Sequence, residues 1–265
     1  MRIFKSPLAL VLLLIAAASL TLMAVGQSVL SAQPHATVAS VPEGHRFANG
    51  QVLHYDAEWR LWKSGVGTLR IDQTGELEHV TGIAESAGAV AMLYRVQDRF
   101  ESYFDRRTFC SLRIIKRAEE GLHRRETTLT FDNVRNRAIL DEQNLRSGET
   151  KHQETDTPGC VMDVLSGIYY LGAQRLQAND TYHIPVNDGG KNFEAIAYVE
   201  GYEDVKTEAG LFHTVRVAVY SNAGPLKGRG KVWIWYANDG SHTPVQMRSR
   251  LFWGTLTLHL TRIDR

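Results

Sequence analysis

The chain is poor in the residue groupings from which metal and nucleophilic sites are built. Its two cysteines, Cys110 and Cys160, form no C-x-x-C pair, and its ten histidines, from His35 to His259, stand singly. No metal site and no cofactor are expected from such spacings. There is no G-x-S-x-G elbow to present an acyl-transfer serine and no Gly-rich phosphate loop leading into a helix, so the common hydrolase and nucleotide-binding signatures are missing. An excess of one charge is missing too: 30 Lys and Arg stand against 29 Asp and Glu. Without a basic field the chain has nothing to hold nucleic acid, and Arg106-Arg107 and Arg124-Arg125 read as solvated strand faces. No repeat of fixed period occurs.

What is present begins with an export signal. Arg2 and Lys5 precede an apolar run from Leu8 to Val25, and Ala24-Val25-Gly26 supplies small residues where a signal peptidase cuts. Residues 1–26 are therefore expected to be a signal peptide or, since about eighteen apolar residues approach a bilayer span, an uncleaved N-terminal anchor. A lipid-modified start is disfavoured because the first cysteine is Cys110. Residues 27–46 are small, polar and Pro-containing and read as a flexible tether. Residues 47–265 are left as a single β-rich domain, large enough for its own core. Without Arg2 and Lys5 the basic count falls from 30 to 28 against 29 acids, a balance near −1. The expected location is the periplasm or another extracytoplasmic space. There, an oxidising environment would join Cys110 to Cys160.

Strand periodicity dominates the domain. Leu53, Tyr55, Ala57, Trp59 and Leu61 alternate with His54, Asp56, Glu58 and Arg60, which predicts an amphipathic strand. A turn is expected at Ser64-Gly65, then a partner strand carrying Leu69 and Ile71. Asp132-Asn133, Asp188-Gly189-Gly190 and Asn238-Asp239-Gly240 mark further turns. Lys231 to Tyr236 is apolar on both sides, and the chain closes with a three-stranded meander whose last strand alternates Leu256, Leu258 and Leu260 with threonines and His259. Val161, Val164, Leu165, Ile168 and Tyr169 instead recur at helical spacing after Thr157-Pro158, read as cap and first-turn proline, with Asp163 in the first turn and an end near Arg175. One helix among about ten strands predicts a mainly β fold: a strongly curved antiparallel sheet or open β-barrel with the amphipathic helix packed into it.

Three groups of residues are candidates for function. The polar row His54, Asp56, Glu58 and Arg60 would supply an acid and a base if it pointed into a barrel, although a half-exposed strand needs such a face for solubility alone. Asp163 and Ser166 read as helix-terminal polarity. The five tryptophans, Trp59, Trp62, Trp233, Trp235 and Trp253, lie near the two ends of the domain. If first and last strands are neighbours, the rings would converge on a wall able to line a cleft for an acyl chain or a sugar. Wrapping an acyl chain of about fourteen methylenes would contribute on the order of 11 kcal/mol.

The order of these elements resembles a known family. It runs from Tyr55 and Trp59 through Ser64-Gly65-Val66-Gly67 into TLRI (Thr68 to Ile71), then Tyr94 to Ser102, TFD at Thr130 to Asp132, DVLSGIYYL from Asp163 to Leu171, and VWIW at Val232 to Trp235 before Asp239 and Pro244. This is similar to the domain-of-unknown-function 3108 family of exported bacterial proteins. The resemblance implies a β-rich fold without an established activity, similar in shape to half-barrel carriers of lipids and lipoproteins. The expected function is thus a non-enzymatic envelope protein binding a lipid, lipoprotein or other amphiphile in an apolar groove. The alternatives are a structural or partner-binding module for another envelope protein and, last, a hydrolase using strand carboxylates. Contact with a membrane falls to the leader if it stays uncleaved.

Overall fold

The computed structural model describes residues 40–42, 45–59, 62–221, 231–251 and 254–265. Fourteen strands in these residues make one antiparallel sheet. The first half runs β1 (Val52–Trp59), β2 (Trp62–Thr74), β3 (Leu77–Ser86), β4 (Val96–Asp105), β5 (Ser111–Glu120), β6 (His123–Asp132), β7 (Arg137–Asn144) and β8 (Thr150–Asp156). The second runs β9 (Thr181–Asp188), β10 (Lys191–Thr207), β11 (Gly210–Tyr220), β12 (Val232–Ala237), β13 (Pro244–Leu251) and β14 (Gly254–Asp264). Except for β8 and β9, strands adjacent in sequence pair with each other, and β1 also pairs with β14 from Val52↔Asp264 to Trp59↔Leu256. Strands β8 and β9 do not pair with each other, so the curved sheet stays open there.

The opening is where the helix α2 (Val164–Gly172) enters. Its N-terminal approach joins β5 to the edge strand β9: Ser111 N–H donates to the Val161 carbonyl (2.9 Å), Met162 N–H to the Pro185 carbonyl (2.8 Å) and Asn187 N–H to the Met162 carbonyl (2.9 Å). Across the same seam Asn192 Nδ2 donates to the Asp156 carbonyl at 2.5 Å, and the buried ammonium of Lys116 on β5 pairs with Asp188 on β9. The helix lies inside the curve with Leu165, Tyr169, Tyr170 and Leu171 buried. Gly82 in β3 faces it, where a Cβ would come within 3.3 Å of Leu69 Cδ2 and in ordinary contact, 3.9 Å, with Leu165 Cδ1. One core joins the helix to β1–β4 and β9–β14, and a smaller cluster of Ile114, Leu129, Phe131, Ala138, Leu140 and Val161 fills the β5–β7 wing.

Several local expectations are corrected. Ser64-Gly65 lies within β2; the chain reverses between Trp59 and Trp62, and Ser64 sits at a register shift where its hydroxyl donates to the Ala57 carbonyl (3.1 Å). The helix begins at Val164 and ends at Gly172, capped by Asp163 rather than by Thr157. A second, six-residue helix, α1 (Gly88–Leu93), links β3 to β4; it buries none of its residues, so it left no amphipathic signal. Fourteen strands stand where about ten were expected, because the charged β7–β8 wing hides its alternation. Val41, ahead of the strands, packs against the core.

Candidate functional site

The inward positions of the second half-sheet are aliphatic by strict alternation: Ala195 on β10, Val219 on β11, Val232 and Ile234 on β12, Met247 on β13 and Leu258 on β14. They face α2 across a half-enclosed cavity of about 130 Å³. The helix contributes Val164, Leu165, Gly167, Ile168 and Leu171, the first half-sheet contributes Tyr55, Gly67 and Leu69, and β9 contributes Ile184 and Val186. Gly167 explains why space remains: a Cβ built there would meet no atom within 4 Å. Thr68, Ile83, Phe193, Val219 and Val232 are the lining residues that keep some exposure on the sheet, and the last three lie at the strand ends leading into the β9–β10 and β11–β12 connections. The cavity opens toward that end, and α2 closes the other, where Tyr236 Oη donates to the Ile168 carbonyl (2.8 Å) and His242 Nδ1 to the Gly172 carbonyl (2.8 Å).

Asp163 is the single carboxylate among the lining residues, and its oxygens are already used. Oδ1 accepts from Leu165 N–H (2.8 Å) and Ser166 N–H (3.2 Å), and Oδ2 from the hydroxyls of Ser102 (2.6 Å) and Ser111 (2.7 Å). The Ser166 hydroxyl stands 2.9 Å from that of Ser111. This buried knot ties α2 to β4 and β5. It is a helix cap with its donors in place and presents no free polar atom to a ligand. Tyr55, the lining phenol, donates to the Pro244 carbonyl (2.7 Å), and burial pushes its ionisation well above the ordinary tyrosine range.

None of the described tryptophans forms this wall. β1 and β14 are neighbours as required, yet none of the described tryptophans lines the cavity. Because Ile234 points inward, alternation sends Trp233 and Trp235 outward. Trp235 is buried on the outer face, its Nε1 donating to Glu203 Oε1 (2.6 Å) under the Arg248 guanidinium, 5.2 Å from its ring. Trp59 is half-buried against the core, Trp62 is 76% exposed, and Trp253 lies outside the described residues. The polar row also faces outward. His54 Nε2 is 2.9 Å from Asp264, Asp56 pairs with Lys63 (2.6 Å) and Glu58 with His259 (3.4 Å), while Arg60 lies outside the described residues. An acid–base pair inside the sheet is therefore not built from it. Cys110 and Cys160 are joined as expected, their Cα atoms 5.1 Å apart.

Two buried carboxyls stand apart from the cavity. Burial pushes Glu78 on β3 up to about 7, against a weaker opposing pull from Arg106, and Asp98 on β4 up to about 6. Among the described residues no group of three His, Cys, Asp or Glu is placed to hold a metal ion, and no helix is long and apolar enough to cross a membrane.

An open, barrel-like antiparallel sheet holding an internal helix over an apolar cavity defines the class of protein. Within it, the chain belongs to the family described as protein of unknown function DUF3108, whose model matches residues 54–261. Among solved structures, a β-barrel-like protein of the domain-of-unknown-function 1849 family from Brucella abortus matches 86% of this chain and 99% of its own at 9% identity, with a TM-score of 0.54. A Bacteroides fragilis protein described as exported and a Parabacteroides distasonis protein described as a lipoprotein, each 11% identical, cover 86% and 82% of this chain with TM-scores of 0.32 and 0.33. The first shows the shared fold; the other two are too distant in geometry to bear on the site. A search of curated proteins finds no match.

Proposed function

We propose that this is an exported, non-enzymatic envelope protein that holds the apolar tail of a lipid, lipoprotein or similar amphiphile between α2 and the second half-sheet. The cavity beside Gly167 is the observation that carries this reading, and the N-terminal leader pattern supports the location. Its size sets the ligand. A cavity near 150 Å³ admits one benzene-sized molecule, so about 130 Å³ encloses a chain segment of about six carbons rather than fourteen. At about 0.8 kcal/mol per methylene that segment contributes about 5 kcal/mol, and a longer chain continues out through the open end.

The test is native mass spectrometry with lipid extraction on protein recovered from a bacterial periplasm. The informative variant is Gly167→Leu, which puts four carbons into the space, and not a change at outward-facing Trp235. A co-purifying amphiphile in the wild type that is lost in a normally melting Gly167→Leu supports the carrier. A clean apo mass unaffected by added phosphatidylglycerol or palmitate would overturn it. The edge strand β8 favours no partner-binding alternative, since its exposed TKHQETD sequence carries the charges that keep edges from pairing.

A further inference from the structure

The end of the sheet to which the cavity opens carries large apolar side chains that the fold leaves in water. By antiparallel alternation the β1–β2, β3–β4, β5–β6 and β7–β8 connections all lie at this end. They hold Trp62 (76% exposed), Met92 and Leu93 (88% each) and Leu122 (74%), followed by Leu145. Backbone hydrogen bonds make these connections contiguous: Ala87 N–H to the Ser64 carbonyl (3.0 Å), Gly121 N–H to Arg95 (2.8 Å) and Leu145 N–H to Arg124 (2.9 Å). The Tyr94 ring packs against Gly121 beneath them. Helix α1, burying nothing, has no evident task in the core, yet it lifts Met92 and Leu93 out of it.

Cations outnumber acids in the connections beside this row, with Glu119 and Glu120 closing β5 next to them. Segments 62–64, 87–95, 121–124 and 145–149 contain Lys63, Arg95, Arg124 and Arg146 against the single acid Glu149. Lys63 and Arg124 reach back to Asp56 (2.6 Å) and Glu119 (3.8 Å) on the strands below. A tryptophan, methionine and leucines at loop tips with cations alongside match the chemistry of a bilayer interface, where indoles sit at headgroup level, aliphatic tips enter the acyl boundary and cations meet anionic lipid.

We propose that this rim docks on the surface of a membrane containing anionic lipid, bringing the open end of the cavity to the bilayer. The inference rests on the cavity reading in that it gives the tail its route in, and it adds a surface and residues that the cavity does not involve.

The experiment uses the protein recovered from a bacterial periplasm and vesicles of phosphatidylethanolamine and phosphatidylglycerol whose acyl chains are brominated. Bromine quenches only indoles that reach the acyl boundary, so attachment through the leader alone does not register. Tryptophan emission is expected to fall with brominated vesicles in the wild type, and the fall to be smaller in Trp62→Phe. Met92→Ser with Leu93→Ser, both at exposed positions, is expected to weaken vesicle binding about tenfold. Equal quenching in wild type and Trp62→Phe, or none in either, would overturn the proposal; the second result would move the patch to a protein partner. Gly167→Leu is expected to dock normally, so docking without a co-purifying amphiphile would remove the cavity reading and leave the rim standing.

Discussion

At the scale of single residues, burial sets chemistry that exposure would have left ordinary. Glu78 is buried with Oε2 lacking a partner among the described residues, and its ionised form loses solvation, which raises it from 4.5 to about 7. The unfolded chain releases this proton through 4.5, whereas the folded chain keeps it until about 7. Stability therefore falls as pH rises across that window and levels off above it, by up to about 3 kcal/mol. Asp98 adds in the same sense between 3.8 and about 6. His45, lowered by burial and by His242, works the other way below its ordinary value. The clean readout is a difference: thermal melts at pH 5 and pH 8 should lie closer together in Glu78→Gln than in the wild type. An unchanged gap would mean that Glu78 ionises normally.

At the scale of elements, α2 is held by its first residues more than by its length. A nine-residue helix is too short to persist alone. Asp163 supplies the cap, and Ser102 and Ser111 fasten that cap to β4 and β5. Removing the carboxylate loses the cap and strands two buried hydroxyls, so Asp163→Ala should cost about 2–4 kcal/mol in urea unfolding. Asp163→Asn, which retains an acceptor, should recover part of that. A loss below about 0.5 kcal/mol would show that water replaces the carboxylate without penalty. Most of this element was legible from the sequence, since the spacing of Leu165, Ile168 and Tyr169 marks its core-facing side. The cap was displaced by six residues because Thr157-Pro158 satisfies the same local rule, and only the positions of Ser102 and Ser111 choose between them.

At the scale of the molecule, a simple meander becomes an open barrel because its first strand pairs with its last and its seam is bridged by side chains and one crossing segment. The Cys110–Cys160 disulfide stands at that seam, just before β5 and just before α2, its ends separated by 50 positions in the sequence. Closing such a loop constrains the unfolded chain by roughly 4 kcal/mol on the entropy model. The double variant Cys110→Ser with Cys160→Ser should unfold at correspondingly lower denaturant. It should also show faster hydrogen exchange in β9 and at Val161–Asp163 than in β1, β2 and β14. Uniform acceleration would mean that the disulfide acts on the unfolded chain alone and does not hold the seam.

The residues by themselves determined which side of each strand is apolar, where most turns fall, that one segment is a buried helix, and that the two cysteines would pair. These are local properties, set by a period of two or 3.6 and by turn chemistry. Which apolar side faces a cavity was decided only by tertiary structure. Trp233 and Trp235 are as apolar as Ile234, but a single inward assignment for Ile234 turns both outward, and the row from His54 to Glu58 goes outward for the same reason. The cavity is more remote still from the local pattern. It is the volume left when α2 and nine strands fail to fill the space they enclose, and that remainder depends on a glycine in one element meeting short side chains in several others far away in the chain.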